Sequence, residues 1–555
     1  GLPLSADSLY AAALQRIGGR SAPSLGWRLH LGRGMALRAS RASAAAAREL
    51  RAAIAEIERS AGGFARPEIR SAFMADKWSP YAELAQLEQG QGAADSAFVV
   101  SERMRAQVML ELLASARTPG EDGGAAQAEL RDLQQRITQL TLRLVGSEAV
   151  PATWRGPVAP GQSEDAVREA LAEAEGKYAR ALERLRQGDG RGGTLASRPV
   201  ASAAEVRRRL RPNEVFLEYL VCDTTSVVFV VTSDSVAAID LHLGAKALAR
   251  LVDFARGTIA SRSDDGQELW RAPLQRLHEY LIGPVERAGL LRGKRRLYVA
   301  PHADLHYLPF AALLAPGREG RFLIERFAIS YTPSASVWAR LPKPTRPTAS
   351  GRLLMLAPVS PEALPGAATE ARRIARAYGP EVTSLVGEDA TEPSFRRLVA
   401  DYQVIHLASF GVLNKQNPLF SYVALRPAVE EDGRLEVHEI FGLSLKADLV
   451  VLSACQTALG AGALGDVPAG DDWVGLVQAF LYAGSARVLA TAWPVTDRPT
   501  ASLMTAFYEE LRAGAPEDVA LARAQRAALM RAETESPLYW AGFVLTGGPQ
   551  ARIGT

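Results

Sequence analysis

Apolar residues recur at intervals of three and four through the first third of the chain. The segment ASAAAARELRAAIAEIERS (residues 42–60) has this spacing, which is typical of a helix with one buried face. The same pattern returns at 95–117, 126–146 and 168–186. Because turn-forming residues interrupt it between segments, we expect separate helices packed as antiparallel pairs. The pattern therefore predicts an all-α domain over residues 1–190, related to helical repeats but without a fixed period.

Short runs of β-branched and aromatic residues replace the helical pattern from about residue 205. The segments NEVFLEYLVCD and TSVVFVVTSD are bounded by polar turns and predict a β-hairpin. Two further strands are predicted at 295–301 and 327–333. The segment LPKPTRPTASG (341–351) contains three prolines and predicts a linker. One domain is therefore predicted over 200–340 and another over 351–555.

Strand and helix patterns alternate after the linker. Near-continuous apolar runs, which are typical of parallel strands buried on both faces, occur at 353–358, 402–409, 448–455 and 487–493. Helical patterns lie between or beside them at 368–379, 391–401 and 471–484. The predicted fold class is an α/β sandwich, with a mixed, mostly parallel sheet and helices on both faces, preceded by the all-α domain. Ligands of such sheets bind beyond the carboxyl ends of the strands, where Phe410-Gly411 and Cys455 fall.

Composition and charge exclude several classes of partner. The chain has 555 residues, of which 48% are hydrophobic and 23% charged, with a net charge of only +3. This balance gives no reason to expect nucleic acid or a membrane surface as a partner. The chain has two cysteines, no run of eighteen apolar residues and no signal-peptide pattern in GLPLSADSLY. We therefore expect a cytoplasmic protein without a disulfide framework.

Cys455 is the candidate nucleophile. It follows an apolar strand, the small residues Ser453 and Ala454 leave room for a substrate backbone, and the Gly-rich segment TALGAGALGD comes next. Backbone N–H groups at such a strand end are able to hold an oxyanion, and a thiol is intrinsically nucleophilic. The alternative is an inert core cysteine, the usual state of an arbitrary free cysteine. Cys222 lacks these features and is expected to be a packing residue.

Several motifs together resemble the CHAT family of caspase-like cysteine peptidases, relatives of separase that often follow tetratricopeptide helices. The strongest are LVVLSACQTALG around Cys455 and the later segment GDDWVGLVQAFLYAGSARVLATAWPV, and PHADLHYLPFAAL (301–313) is similar to a family hallmark. The resemblance covers about residues 200–550. It implies a caspase-like fold, a degenerate half over 200–340, a catalytic half over 351–555, a tetratricopeptide-like region over 1–190, and Cys455 as nucleophile.

The family's second motif reads His-x-Ala-(Thr/Ser)-His-Gly, in which the second histidine is the base and the glycine N–H helps to form the oxyanion hole. Here the segment is HLASFG, residues 406–411, so Phe410 stands at the position of the base and Gly411 is retained. Phe410 is either the natural residue or a substitution that disables the site. His406 lies roughly 13 Å back along the strand, at about 3.3 Å per residue, so it is expected to be a hydrogen-bonded core residue and a poor substitute base. His302, His306 and His438 are candidates only if loops fold over the site.

Two functions from different classes remain open at this point. One is a caspase-like cysteine endopeptidase with weak, altered or abolished activity, and the other is a pseudopeptidase that binds protein as a scaffold. A nucleotide-dependent enzyme is disfavoured because GAGALGD (460–466) has neither a GxGxxG frame nor a P-loop lysine. Neither a cofactor nor a metal is therefore expected. Partners are expected to be a protein or peptide substrate, and an activating protein bound by the helical region.

An acidic cluster follows the cysteine loop and consists of Asp466, Asp471 and Asp472. These carboxylates are expected either to cap the helix at 471–484 and match its dipole, or to bind a basic side chain of the substrate. The second reading is consistent with a separase-like preference for arginine. Both roles are compatible, because one carboxylate can cap while another faces the cleft.

Overall fold

The computed structural model describes most of the chain outside residues 116–199. Its described residues are 3–17, 23–62, 77–115, 133, 136, 166, 169–170, 173–174, 177, 200–260, 268–342, 351–358, 365–409, 411–412, 421–428, 431–453, 471–493 and 497–550. Two compact units are present, Gly1–Leu113 together with Pro199–Thr555, and Ala114–Arg198. In the second unit the described residues are helical, and Lys177 pairs with Glu173 one turn away at 2.7 Å. The domain boundaries given above stay predictions.

Five helices form the described N-terminal part of the first unit, and the predicted helices at 42–60 and 95–117 are confirmed. The helices are α1 Pro3–Ile17, α2 Pro23–Ala39, α3 Ser43–Gly62, α4 Ser79–Gly90 and α5 Ala94–Ser115. Apolar residues at helical spacing, such as Leu50 and Ile54 on α3 and Phe98 on α5, are fully buried. They belong to the same hydrophobic core as Phe229 and Trp338 of the following segment, so these helices pack onto the sheet described next.

An eleven-stranded sheet runs through the rest of the unit. Its strands lie in the order β3-β2-β1-β4-β5-β14-β13-β12-β8-β6-β7. The strand bounds are β1 Glu214–Leu220, β2 Val227–Val231, β3 Val236–Asp240, β4 Arg296–Ala300, β5 Ala328–Tyr331, β6 Leu353–Ala357, β7 Val382–Val386, β8 Val404–Leu407, β12 Leu449–Leu452, β13 Arg487–Thr491 and β14 Phe543–Gly547. Neighbours are parallel except in the β1–β2, β2–β3 and β13–β14 pairs. The predicted mixed, mostly parallel sheet is confirmed.

The central strands are covered on both faces. Every residue of β4, β6, β8, β12 and β13 is buried, as near-continuous apolar sequence requires. Helices of the described chain that follow the N-terminal five are α6 Ala203–Arg209, α7 Ala245–Ala260, α8 Arg271–Leu281, α9 Gly283–Arg287, α10 Leu323–Arg326, α11 Ala335–Arg340, α12 Pro365–Tyr378, α13 Glu392–Leu398, α14 Val437–Ile440, α15 Asp471–Tyr482, α16 Asp497–Arg512 and α17 Glu517–Leu529. The α/β sandwich predicted from the alternating pattern is therefore present. Within the described chain, none of these helices combines the length and apolarity needed to span a bilayer.

One contact joins the segments before and after the predicted linker into a single sheet. Tyr331 of β5 is the register partner of Thr546 of β14, near the end of the chain. The β14 strand was not predicted from sequence. It lies antiparallel to β13 and parallel to β5, so the last strand of the described residues joins the two sets of strands.

A second, three-stranded sheet extends from the carboxyl end of β8. It consists of β9 Gly411–Val412, β10 Tyr422–Ala424 and β11 Arg434–Glu436, with β10 in the centre and both pairings antiparallel. Thr391 caps the helix that follows it, because its hydroxyl accepts a hydrogen bond from the Ser394 amide at 3.3 Å.

A buried ionic cluster lies where β1 and β4 begin. Arg296 begins β4, donates to Glu214 at the start of β1 at 2.7 Å, and donates to Asp518 in the first turn of α17. Arg296, Glu214 and Asp518 are 7%, 2% and 0% exposed. Since a buried charge is tolerated only when it is paired, each member of this cluster depends on the others.

Helix α5 is tied to the sheet region by a buried carboxylate. Glu102 is fully buried, and its two oxygens accept hydrogen bonds from the amides of Ala335 and Ser336 at 2.9 and 2.6 Å. These amides are the free donors of the first turn of α11. A negative charge at that position also matches the helix dipole, so the contact fixes α5 against this part of the fold.

Candidate active site

Two adjacent parallel strands end together at the predicted catalytic edge. Leu407 and Leu452, the last residues of β8 and β12, are register partners. The Ser453 amide then donates to the Leu407 carbonyl at 3.0 Å, which extends the pairing by one step. The segments that carry Phe410-Gly411 and Cys455 therefore leave the sheet side by side. This placement follows from parallel pairing alone.

The segment after β8 is anchored by the small sheet. The buried Ser409 hydroxyl donates to the carbonyl of Ala424, and Gly411 pairs with Val423 in β10. Gly411 is itself buried. Both contacts hold the backbone on either side of residue 410 to the same strand, so the Gly411 amide has a defined location at the sheet edge.

Three of the predicted site residues lie outside the described residues, namely Phe410, Cys455 and Asp466. Asp471 and Asp472 are the first two residues of α15, where a carboxylate matches the helix dipole. Their backbone is described and their side chains are not. The roles of all five residues stay predictions.

His406 lies in the interior of β8 and is completely buried. Its Nδ1 is 3.0 Å from the hydroxyl of Tyr508 on α16, and its Nε2 is 3.4 Å from Glu370 Oε1 on α12. Burial, followed by the nearby Tyr378 and Glu370, raises the pKa of Tyr508 well above its usual value, so that hydroxyl stays neutral. With both nitrogens facing core side chains, His406 has the surroundings of a structural histidine.

The other histidines considered as bases lie elsewhere. His302 and His306 follow β4, which is four strands from β12 in the sheet order, or about 19 Å at 4.8 Å per strand. Burial and, second, Arg105 lower the pKa of His306 to about 3, and the same two causes hold the pKa of His302 well below its usual value. His438 Nδ1 lies 3.1 Å from Glu436 Oε2 on the small sheet. A proton acceptor must come within about 3 Å of the thiol or one bridging water, and the strand order places His302 and His306 beyond that reach.

Sequence reasoning missed a buried carboxylate beside the predicted site. Glu370 is 5% exposed, and its Oε1 accepts a hydrogen bond from the Ser453 hydroxyl at 2.8 Å. The signal was present: Glu370 falls on the same helical stripe as the buried residues Ala367, Ala371 and Ile374. A charge on an apolar stripe needs a polar partner in the core.

Cys222 is the described cysteine, and it is 2% exposed. Its thiol lies 3.7 Å from the Leu220 carbonyl, and burial raises its pKa to about 12. A thiol with so high a pKa is protonated at neutral pH and unreactive. The predicted packing role of Cys222 agrees with these surroundings.

Among the described residues, three carboxylates come close enough together to hold a metal ion, those of Glu392, Glu431 and Glu439, whose oxygens lie within 4.8 Å of one another. Arg396 already donates to Glu392 at 2.7 Å and to Glu439 at 2.9 Å. The group thus contains its own counter-charge, and we assign it no metal.

Comparisons with known proteins agree with the motifs. The family model described as the CHAT domain matches residues 271–548, half of the chain. Tetratricopeptide repeat protein 28 of Homo sapiens is 27% identical over 333 residues, a match that covers 50% of this chain and 13% of that protein. The chain therefore spans a small part of the length of this relative.

Two solved structures are similar at low sequence identity. One is the Saccharomyces cerevisiae separase–securin complex at 3.0 Å, with a TM-score of 0.43, 9% identity, and coverage of 98% of this chain and 48% of that chain. The other is the Arg-specific cysteine proteinase gingipain R, with a TM-score of 0.32, 10% identity, and coverage of 55% of this chain and 74% of that chain.

Proposed function

Because the chain belongs to the CHAT domain family, we propose that it is a caspase-like cysteine endopeptidase in which Cys455 is the nucleophile and the usual base is replaced by Phe410. The observation that carries this proposal is the register of Leu407 with Leu452 at the ends of two adjacent parallel strands. It supports a common location for the Gly411 amide and the Cys455 thiol. These are the two groups that acyl transfer requires beside a base.

In the proposed reaction the Cys455 thiolate attacks the scissile carbonyl carbon while the Gly411 N–H stabilises the oxyanion. The C–N bond then breaks, the amine leaves with a proton from solvent, and water hydrolyses the thioester to a carboxylic acid and the free thiol. With Phe410 in the position of the base, the thiol proton goes to solvent. The thiol then keeps a pKa near 8.5, and activity rises with pH. Loss of the base is expected to cost roughly a hundred- to ten-thousandfold in rate.

The proposed substrate is a protein cleaved after a basic residue. Three carboxylates follow the nucleophile closely in sequence, those of Asp466, Asp471 and Asp472. Asp471 is the first residue of helix α15, which precedes β13. A carboxylate facing the cleft would pair with an arginine side chain by two parallel hydrogen bonds. The helical region over 1–190 is proposed to bind the substrate or an activating protein, and the location is proposed to be cytoplasmic.

A second function, a pseudopeptidase that binds protein without cleaving it, is favoured by one specific observation. The family's base position holds Phe410, and the nearest histidine in sequence, His406, is fully buried between Tyr508 and Glu370. A phenylalanine side chain has no atom that accepts a proton, and both ring nitrogens of His406 face core side chains. In this alternative the same cleft recognises a peptide and the helical region supplies a scaffold.

The test of the nucleophile is a comparison of the two cysteines by thiol labelling and mass spectrometry on native protein. Iodoacetamide is expected to modify Cys455 first, and to modify Cys222 only after denaturation, since Cys222 is 2% exposed with a pKa of about 12. Cleavage of an arginine-containing peptide library that rises with pH and is lost in Cys455→Ala supports the endopeptidase. Equal labelling of both cysteines contradicts the assignment, and labelling without cleavage supports the pseudopeptidase.

A further inference from the structure

Four polar side chains meet in the core beneath the proposed active site. Three come from α12, β8 and α16 and the fourth directly follows β12, and all are nearly or fully buried: Glu370 at 5%, His406 at 0%, Ser453 at 4% and Tyr508 at 0% exposure. Burying polar groups costs free energy unless they bond to one another. A core of apolar residues would fill the same space without that cost. The presence of the group therefore calls for a role beyond packing.

Glu370 is the centre of this group. Its Oε1 accepts the Ser453 hydroxyl at 2.8 Å and lies 3.4 Å from His406 Nε2. His406 belongs to β8 and Ser453 directly follows β12, so one carboxylate oxygen contacts two adjacent strands. Glu370 itself lies on α12, which packs on α16.

The other ring nitrogen of His406, Nδ1, also contacts a buried side chain. Tyr508 of α16 lies 3.0 Å from Nδ1, and the two rings are 5.7 Å apart between centroids. The remaining nitrogen, Nε2, lies 3.4 Å from Glu370 Oε1 without forming a hydrogen bond. Hydrogen bonds are directional, so the Tyr508–His406 and Ser453–Glu370 bonds set the positions of these residues more narrowly than apolar packing does.

The contacted residues lie very near the reacting groups in sequence. Ser453 is two residues before Cys455, and His406 is five residues before Gly411. We infer that Glu370 is a positioning residue, which holds the carboxyl ends of β8 and β12 together and so sets the separation of the Cys455 thiol and the Gly411 amide. This inference rests on the proposed function. Glu370 does not touch substrate in this role and acts through Ser453 and His406.

The test measures how well Cys455 is placed against a bound peptide. The full chain is treated with an arginyl peptide acyloxymethyl ketone, which needs the oxyanion site, and separately with iodoacetamide, which does not. The measured quantity is the rate constant for the ketone divided by the rate constant for iodoacetamide, both at Cys455. Glu370→Ala and Ser453→Ala are each expected to lower this ratio by about a hundredfold, the scale of a misplacement of about 1 Å. Glu370→Gln keeps an oxygen that can accept the hydrogen bond from the Ser453 hydroxyl, so this variant is expected to retain most of the wild-type ratio.

The matched control is Glu509→Gln, which changes an exposed glutamate next to Tyr508 on the same helix and is expected to leave the ratio unchanged. Melting temperatures separate positioning from folding: a variant that melts earlier with an unchanged ratio overturns the inference. An unchanged ratio in both Glu370→Ala and Ser453→Ala overturns it as well. If the peptide reagent does not label wild-type Cys455 although iodoacetamide does, the proposed function fails and the inference with it.

Discussion

Leu407 and Leu452 lie opposite each other as the last residues of two neighbouring parallel strands. Each belongs to a completely buried strand, so neither strand end can slide relative to the other without disturbing the core. In a parallel sheet the chain must leave both strands at the same edge. The described residues that precede Gly411 and those that precede Cys455 therefore end at the same edge, although Leu407 and Leu452 are 45 positions apart in sequence.

Arg296, the first residue of β4, is expected to be among the most sensitive positions for stability. The variant Arg296→Met leaves the carboxylates of Glu214 and Asp518, which are 2% and 0% exposed, without their buried counter-charge. Removing one partner of a buried ion pair costs about 3–5 kcal/mol. The measurement is the free energy of unfolding in urea, followed by circular dichroism.

The neighbouring variant Arg295→Met is a suitable control, because Arg295 is exposed and the chemical change is the same. It is expected to change the free energy of unfolding by less than about 0.5 kcal/mol. Equal effects of the two substitutions would show that the buried cluster contributes no more than a surface arginine.

Stability is expected to depend on pH through Glu392, which is fully buried. Burial, and second the charge of Glu439, raise its pKa from 4.5 to about 8, although Arg396 opposes the shift. Between these values the folded state keeps a proton that the unfolded state releases. The contribution to stability is therefore fully present below about pH 4.5 and is lost as pH rises through about 8. Thermal melting at pH 6 and at pH 8.5 measures this loss.

The variant Glu392→Gln isolates this contribution, because glutamine cannot ionise and retains an oxygen that can accept a hydrogen bond from Arg396. Its melting temperature is expected to fall less than that of the wild type between the same two pH values. Burial also raises the pKa of Glu439, to about 7, so part of the loss persists in the variant. Parallel curves for the two proteins would assign the pH dependence to other groups.

Much of the sheet was predictable because its central strands are buried on both faces. The predicted strands at 353–358, 402–409, 448–455 and 487–493 all exist, each with its ends one to three residues inside or at the predicted limits. The edge strands β3 and β7 were not predicted. Their residues are partly exposed. The sequence of β7, VTSLV, is interrupted by two polar residues, and that of β3, VAAID, contains two alanines, which are weak strand formers.

The chemistry was predictable only where it forms a local motif. Cys455 and Gly411 stand in recognisable segments, whereas Tyr508 meets His406 across 102 residues of sequence and Glu370 meets Ser453 across 83. Contacts of that kind depend on how α12 and α16 pack over the sheet. A charge on the apolar stripe of α12 indicates that Glu370 has a buried partner, but the stripe does not identify it.

The sharpest prediction concerns residue 410. The variant Phe410→His restores the family's base at the edge where Gly411 is held by β10 and the Cys455 segment emerges beside it. An imidazole there can accept the thiol proton and stabilise the thiolate as an ion pair. Hydrolysis of arginine-containing peptides is expected to increase by about a hundred- to ten-thousandfold in kcat. The kcat of the wild type is expected to rise steadily toward alkaline pH, whereas the kcat of the variant is expected to reach a plateau near neutral pH.

Two further variants make this result interpretable. Phe410→Ala removes the aromatic ring without adding a base, so it separates relief of crowding from proton transfer, and it is expected to stay at the wild-type rate. Phe410→His combined with Cys455→Ala must lose the gain, because the imidazole has no thiol to activate. A folded Phe410→His protein that cleaves no faster than wild type would remove residue 410 from the reaction. The pseudopeptidase would then be the better description of the protein, since restoring the base would not have restored a peptidase.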